Sequence, residues 1–270
     1  MADFGRSELD QALDALGLRD GDLIFGHSNI GFFGRPEGVH SGEEAAALFH
    51  DAIRERIGPT GTLVVPTFTY SFPRHEVFDP LVSASRMGLL AEWVRKRPDA
   101  RRSLDPCYSV AAVGACAEQL TADATENSFG PRSFFHRFLE MDGRILNLNF
   151  DAGSTFVHYV ERELAVPYRF DKTFTGSLRI DGAERSARST IWVRYLSDDS
   201  LEAKFETLDL LAREQGLFRT IRLGRGEMGV MTAADCFGLI ARTLPKRPYF
   251  LTRAEAVGIT EPVIVPEVAT

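Results

Sequence analysis

The sequence contains no apolar run approaching the roughly 18 to 20 residues that a membrane-spanning helix requires, so no membrane partner is expected. The opening stretch MADFGRSELDQAL has neither a basic start nor an apolar core, and no secretory leader is expected. Cysteine is scarce. Three residues, Cys107, Cys116 and Cys236, show no CxxC spacing and cannot all pair, which points to a reduced, cytoplasmic setting. A basic excess is also missing, with 31 Lys and Arg against 38 Asp and Glu for a formal charge of −7. That balance argues against a general nucleic-acid binder. There is no GxxxxGK[ST] phosphate loop, no HExxH helix and no GxGxxG after a strand. The Q/RxxGxG/A loop by which one large acetyltransferase superfamily holds pyrophosphate is absent as well. The six histidines include no pair at metal-ligand spacing, so no metal is expected.

What is present reads as an ordinary globular chain of 270 residues, 44% hydrophobic and 26% charged. Leu9, Leu13 and Leu16 fall at helical spacing, and Asp22 to Phe25 reads as a short buried strand. Ser41 and Glu44 form a capping-box pattern opening a helix through Ile57, which Gly58-Pro59 closes. Further strands are expected over Thr62–Val65, Tyr108–Val113, Arg144–Leu148 and Phe218–Leu223. Helices are expected over Ser85–Lys96, Ser133–Met141, Ser154–Leu164, Leu201–Gln215 and Ala233–Thr243. Asp181-Gly182 interrupts an alternating stretch from Leu178 to Tyr195 and marks a hairpin, an excursion near 176–195 from a single domain over 1–260. Residues 261–270 read as a tail. Strands alternating with helices imply a layered α/β domain. Arginines crowd at Arg95-Lys96-Arg97 and Arg101-Arg102, where they could neutralise phosphates or simply form a solvated stretch.

Two features carry chemistry. Gly26-His27-Ser28-Asn29 ends a strand, where free backbone amides of an α/β layer bind anions or carbonyl oxygens. A plain turn capped by Ser and Asn fits the same residues. The fragment also approaches the GxSxG nucleophile elbow, but Ile30 stands where the second glycine belongs. The second feature, Thr155-x-x-His158-x-x-Glu161 on an expected helix, puts a hydroxyl, an imidazole and a carboxylate on one face. Such a face suits an oxyanion donor, a general base and the base's partner. A lone helical histidine is also compatible with a surface or core role.

The chain resembles the aminoglycoside 3-N-acetyltransferase family. The resemblance lies in colinear blocks from about residue 17 to 243: GDLIFGHSNIG, GPTGTLVVPTFT, FDP, SRMGLLAEWVRKRPDARRSLDPCYSVAAVG, SFGPRSFF, DGRILNLNF and STFVHYVERE. It implies a three-layer α/β/α sandwich with an inserted β-hairpin, and acetyl-coenzyme A as co-substrate. His27, Ser28 and Asn29 match the family's segment near the thioester. Arg102, Ser103 and Ser109 match a segment lining the coenzyme site, with Arg102 or Arg101 expected to meet a phosphate. Thr155 and His158 match the oxyanion-side hydroxyl and the general base. Glu161 follows the local motif as the base's partner, while Glu206 sits near where a later family glutamate falls.

The chain departs from the family at Asp105-Pro106, at Ser133-Phe134 and at Asn149, where the family commonly has His-Pro, Ser-Pro and glycine. The hairpin and the C-terminal part match weakly. The acceptor expected is a primary amine of an amino sugar or aminoglycoside-like small molecule. Arg74, Arg185, Arg188 and Arg194 beside Glu76, Asp79, Asp198, Asp199 and Glu202 favour an amino sugar carrying carboxylate or phosphate over a polycationic drug. Direct transfer with a histidine base is the first reading. A non-catalytic coenzyme A or amino-sugar binding protein and a serine hydrolase using Ser28 and His158 are the alternatives. Self-association as a homo-oligomer is left open.

Overall fold

The computed structural model describes residues 2–122 and 125–265. In chain order the elements are α1 (Arg6–Ala15), β1 (Leu23–Ser28), α2 (Gly42–Ile57), β2 (Thr62–Pro66), α3 (Leu89–Arg95), β3 (Arg101–Arg102), β4 (Val110–Gly114), α4 (Ala117–Thr121), α5 (Phe134–Glu140), β5 (Arg144–Leu148) and α6 (Phe156–Glu163). Then follow β6 (Arg169–Ile180), β7 (Ala183–Arg194), α7 (Glu206–Glu214), β8 (Arg219–Leu223), β9 (Gly226–Thr232), α8 (Ala233–Thr243) and α9 (Arg253–Val257).

Seven strands form one sheet in the order β3-β4-β2-β1-β5-β9-β8, with β6 and β7 standing apart as a hairpin. The centre is parallel, β1 lying between β2 and β5, and both flanks are antiparallel. Alternation along the strands divides the core between the two faces. Ile24, Leu63, Val65, Leu146 and Leu148 meet Leu9 and Leu13 of α1, Phe49 and Ile53 of α2, and Leu90 and Val94 of α3. Phe25, Val64, Ile145 and Met231 meet Phe134 and Phe138 of α5, Phe156 and Val160 of α6, Leu208 of α7, and Leu239 and Ile240 of α8. Helices therefore cover both faces, the arrangement of an α/β/α sandwich. Phe25 anchors the second face edge-on to the rings of Phe134, Phe135 and Phe138, at centroid distances of 4.9, 5.9 and 5.7 Å.

Local chemistry fixes the helix ends. The Ser41 hydroxyl accepts the Glu44 N–H at 3.1 Å, and the Glu44 carboxylate returns to the His40 N–H at 2.7 Å, one residue earlier than a capping box requires. The hairpin starts at Arg169, well before residue 176, and turns on Asp181 (φ 50°) and Gly182 (φ 79°), the positive-φ pair of a tight two-residue turn. Leu178 and Ile191 seat it against Phe72 and Phe78. In the expected tail, the Val263 N–H donates to Asp198 at 3.0 Å and the Val265 N–H to the Ser197 hydroxyl at 3.1 Å; residues 266–270 lie outside the described residues.

Candidate active site

β1 and β5 are in parallel register with His27 opposite Asn147, both on the sheet face that packs against α6. Asn147 is buried, and its amide donates to the Asp151 carbonyl at 2.5 Å and the Gly153 carbonyl at 3.0 Å. It thereby shapes the loop that delivers α6. The Ser154 hydroxyl accepts the Phe156 N–H at 3.2 Å, capping the helix. Thr155 is thus released from capping. Its backbone N–H donates to Nε2 of His27 at 3.4 Å, and its hydroxyl takes no hydrogen bond from the described residues. The two sequence features, 128 residues apart, meet here.

His27 is an acceptor through Nε2, which requires a neutral ring with its proton on Nδ1. Burial pushes it down to about 4, in keeping with that role. The side chains of Ser28 and Asn29 take no hydrogen bond from other described residues and remain open to a ligand at the strand end. Ser28 makes no hydrogen bond to His158, which removes the pairing a serine hydrolase needs.

On α6, Nδ1 of His158 lies 2.7 Å from Oε2 of Glu161. Glu161 is fully buried and the imidazole is 18% exposed. A carboxylate only accepts, so Nδ1 carries the proton and Nε2 presents a free lone pair. The same carboxylate is held by Arg169, whose Nε lies 2.9 Å from Oε2, and by the Tyr168 hydroxyl, which donates to Oε1 at 2.9 Å. Burial, then Arg169, lower His158 below the ordinary histidine value, against the opposing pull of Glu161. Burial alone would raise Glu161, but Arg169 and His158 together bring it below the usual carboxylate range. Phe129 and Phe205 wall the imidazole at centroid distances of 6.3 and 6.0 Å.

Other expected site residues stand elsewhere. Glu206 is not the partner of His158; its side chain is 65% exposed, opens α7 and pairs with Lys204 at 2.9 Å. It lies close enough to Asp151 and Asp209 for the acids to raise Asp151, whose burial is the larger cause. Three carboxylates therefore gather near Phe205 beside the base, two of them answered, Glu206 by Lys204 and Asp209 by Arg213 at 2.7 Å. Arg102 does not reach outward to a phosphate. Its Nε donates to the hydroxyls of Thr67 and Ser109 (both 3.2 Å), and its terminal nitrogens to the carbonyls of Pro80 (3.0 Å), Ser83 (2.6 Å) and Thr67 (2.8 Å). The reason is strand alternation in β3, which turns Arg101 to solvent and its ion pair with Glu118 while Arg102 faces inward. The Ser103 hydroxyl accepts the Val110 N–H at 3.0 Å, and the Ser109 hydroxyl donates to the Thr67 carbonyl at 2.7 Å. Arg102 and Ser109 thus brace β4 against Thr67 at the end of β2, while Ser103 ties the end of β3 to β4. The basic run before them is likewise answered, Arg95 and Lys96 by Glu92 and Arg97 by Asp99. A cavity of about 720 Å³ lined by Asp22, Arg144, Arg219 and Met231 opens at the start of β1 and β5, the opposite end of the strands, and contains none of these groups.

Asn147, Tyr168 and Arg169 escaped sequence reasoning. Asn147 leaves one trace, a lone amide in the buried run RILNL; Tyr168 and Arg169 follow the helix with no periodicity to mark them.

The family model for aminoglycoside 3-N-acetyltransferases matches residues 36–245. Aminoglycoside N(3)-acetyltransferase VII of Streptomyces paromomycinus is 31% identical over 256 residues, covering 85% of each chain. The crystal structure of aminoglycoside acetyltransferase AAC(3)-Xa superimposes with a TM-score of 0.78 at 25% identity, over 92% of this chain and 94% of its own. The binary complex of AAC-IIIb with CoASH has the same fold at a TM-score of 0.76 and 24% identity, over 90% of this chain and 97% of its own. With a family match over more than half its length and a sandwich shared with solved members, the chain belongs to the aminoglycoside 3-N-acetyltransferase family and is an acyltransferase.

Proposed function

We propose that the protein transfers the acetyl group of acetyl-coenzyme A directly to a primary amine of an aminoglycoside-type amino sugar, with His158 as general base. The observation that carries this reading is the free Nε2 of a neutral imidazole whose Nδ1 is fixed on Glu161, on the same helix face as the free hydroxyl of Thr155. An ammonium is not nucleophilic, and a neutral imidazole takes the proton that the amine must lose. Thr155 donates to the carbonyl oxygen as it takes on charge. The open side chains of Ser28 and Asn29, with His27 beneath them, suit the thioester end of the coenzyme, which supplies the activated acetyl group. The relative AAC-IIIb binds CoASH, which supports that donor. No acetyl-enzyme is needed. Burial pushes the thiols of Cys107 and Cys236 up to about 12, so neither supplies a thiolate.

For the acceptor, Asp151 near Phe205 offers a carboxylate without an ion pair among the described residues, while its neighbours Glu206 and Asp209 are answered by Lys204 at 2.9 Å and Arg213 at 2.7 Å. A substrate ammonium is expected to meet Asp151 and to compete with Lys204 for the exposed Glu206. Of the arginines that favoured an anionic sugar, Arg74 is answered by Glu76 at 3.0 Å and Arg188 by Glu126 at 3.3 Å, Arg194 stands 3.9 Å from Asp199, and Arg185 has no ion pair among the described residues. The relatives' names point to an aminoglycoside acceptor. The test is thiol release from acetyl-coenzyme A with a panel of aminoglycosides, free amino sugars and amino-sugar nucleotides. Aminoglycosides are expected to be turned over with kcat/KM at least about 10⁴ M⁻¹s⁻¹ and above every sugar tested. Preference for a nucleotide sugar would overturn the acceptor assignment, and release without any amine would overturn the transfer itself.

A further inference from the structure

The carboxylate beside His158 is shared, and the sharing has a consequence for the base. One oxygen of Glu161, Oε2, meets both Nδ1 of His158 at 2.7 Å and Nε of Arg169 at 2.9 Å, while the other accepts the Tyr168 hydroxyl. Arg169 is 7% exposed at its side chain and Glu161 fully buried. Arg169 is the first residue of β6, opposite Arg194, so the hairpin holds its backbone in place. We propose that Arg169 is a positioning residue for acetyl transfer, its permanent cation neutralising Glu161 so that the carboxylate orients the imidazole without holding it protonated between turnovers.

The physical reason is charge balance in a site removed from water. With a neutral imidazole, Glu161 and Arg169 sum to zero; a proton added to His158 leaves a net positive charge in the buried cluster, which burial penalises. With Arg169 removed, the neutral combination becomes Glu161 with imidazolium, and the pair would retain the proton that a base must be free to accept. The other groups facing His158 do not supply this balance. Phe129 and Phe205 are uncharged, His27 is itself held neutral, and Glu206 is exposed and paired with Lys204. Tyr168 donates a hydrogen bond but no charge, and burial raises its hydroxyl well above the ordinary value.

The inference rests on the reading of His158 as the base, and its test separates the two. Histidine resonances of the ligand-free protein are titrated by nuclear magnetic resonance, assigned with His158→Ala, and kcat/KM is measured against pH in parallel. In Arg169→Gln the titration of His158 is expected to move up by about one to two pH units, and the acid limb of kcat/KM to move with it, with activity approaching that of the wild type at high pH. Arg169→Lys, which keeps the charge, is expected to restore both. Unchanged titration in Arg169→Gln, with activity lost equally at every pH, would make Arg169 merely structural and overturn the proposal. Glu161→Gln keeps the matter decidable should Arg169→Gln fail to fold. There the unopposed guanidinium is expected to push His158 still lower, and titration at or above the ordinary histidine value would refute the coupling. A shifted titration without any effect on acetyl transfer would instead count against His158 as the base.

Discussion

Nε2 of His27 accepts the backbone N–H of Thr155 at 3.4 Å, tying the end of β1 to the residue that opens the helix bearing His158. The bond exists only while the imidazole is neutral, because an imidazolium has no lone pair to offer. The proton state of a strand residue therefore governs the seating of the helix.

This predicts an acid limb of stability. Unfolded, His27 titrates near 6.5; folded, it is pushed down to about 4. Between those values the unfolded chain binds the additional proton, so the contribution is complete above about pH 6.5 and is lost as pH falls toward 4, on the order of 3 kcal/mol in all. His27→Gln keeps an acceptor but does not titrate, and its denaturation midpoint should fall less steeply over this window than that of the wild type. Parallel losses in the two proteins would show that His27 is not the group responsible.

Arg102 should matter for stability and not for donor affinity. Arg102→Ala leaves the carbonyls of Pro80 and Ser83 without their donor, leaves that of Thr67 with the Ser109 hydroxyl alone, and removes a guanidinium set over the Phe78 ring at 5.1 Å. A loss of about 2 to 4 kcal/mol is expected in chemical denaturation. The KM for acetyl-coenzyme A should stay within a few-fold at temperatures where the variant is folded. A normal denaturation midpoint with a strongly raised donor KM would restore Arg102 to the coenzyme site.

Glu161 and Glu206 should separate kinetically. Glu161→Gln removes the charge and weakens the contact that orients the imidazole, and is expected to lower kcat by about 10- to 100-fold. Glu206→Gln should raise KM for a polycationic amine several-fold while leaving kcat near that of the wild type. The opposite pattern would return Glu206 to the role of the base's partner.

The pair on α6 was legible because a spacing of three on a helix brings His158 and Glu161 together, whatever the remainder of the chain does. β5 was legible over its whole length, and β1 in its apolar part, as short apolar runs. The junction of His27 with Thr155 was not, since it depends on parallel register between β1 and β5 across more than a hundred residues. Arg101 and Arg102 are identical in composition and differ only in which way a two-residue edge strand turns them. β9 lay hidden because Gly226 and Gly229 break its apolar pattern; a side chain at Gly229 would collide with the ring of Phe218. Asn149 has a simple account. It sits at φ 63°, the left-handed region that glycine occupies freely and that asparagine tolerates better than most residues.

The central claim, a neutral His158 taking the proton from the attacking amine, is met most directly by amine-dependent thiol release in the wild type and in His158→Ala. The account predicts release only when an aminoglycoside is present. In the variant kcat should fall by roughly 100-fold or more, with coenzyme A binding within a few-fold of the wild type. In the wild type kcat/KM should decline on the acid side with an apparent pKa below the ordinary histidine value, since burial and Arg169 lower His158. A His158→Ala protein that retains most of its turnover and the same acid limb would contradict the account.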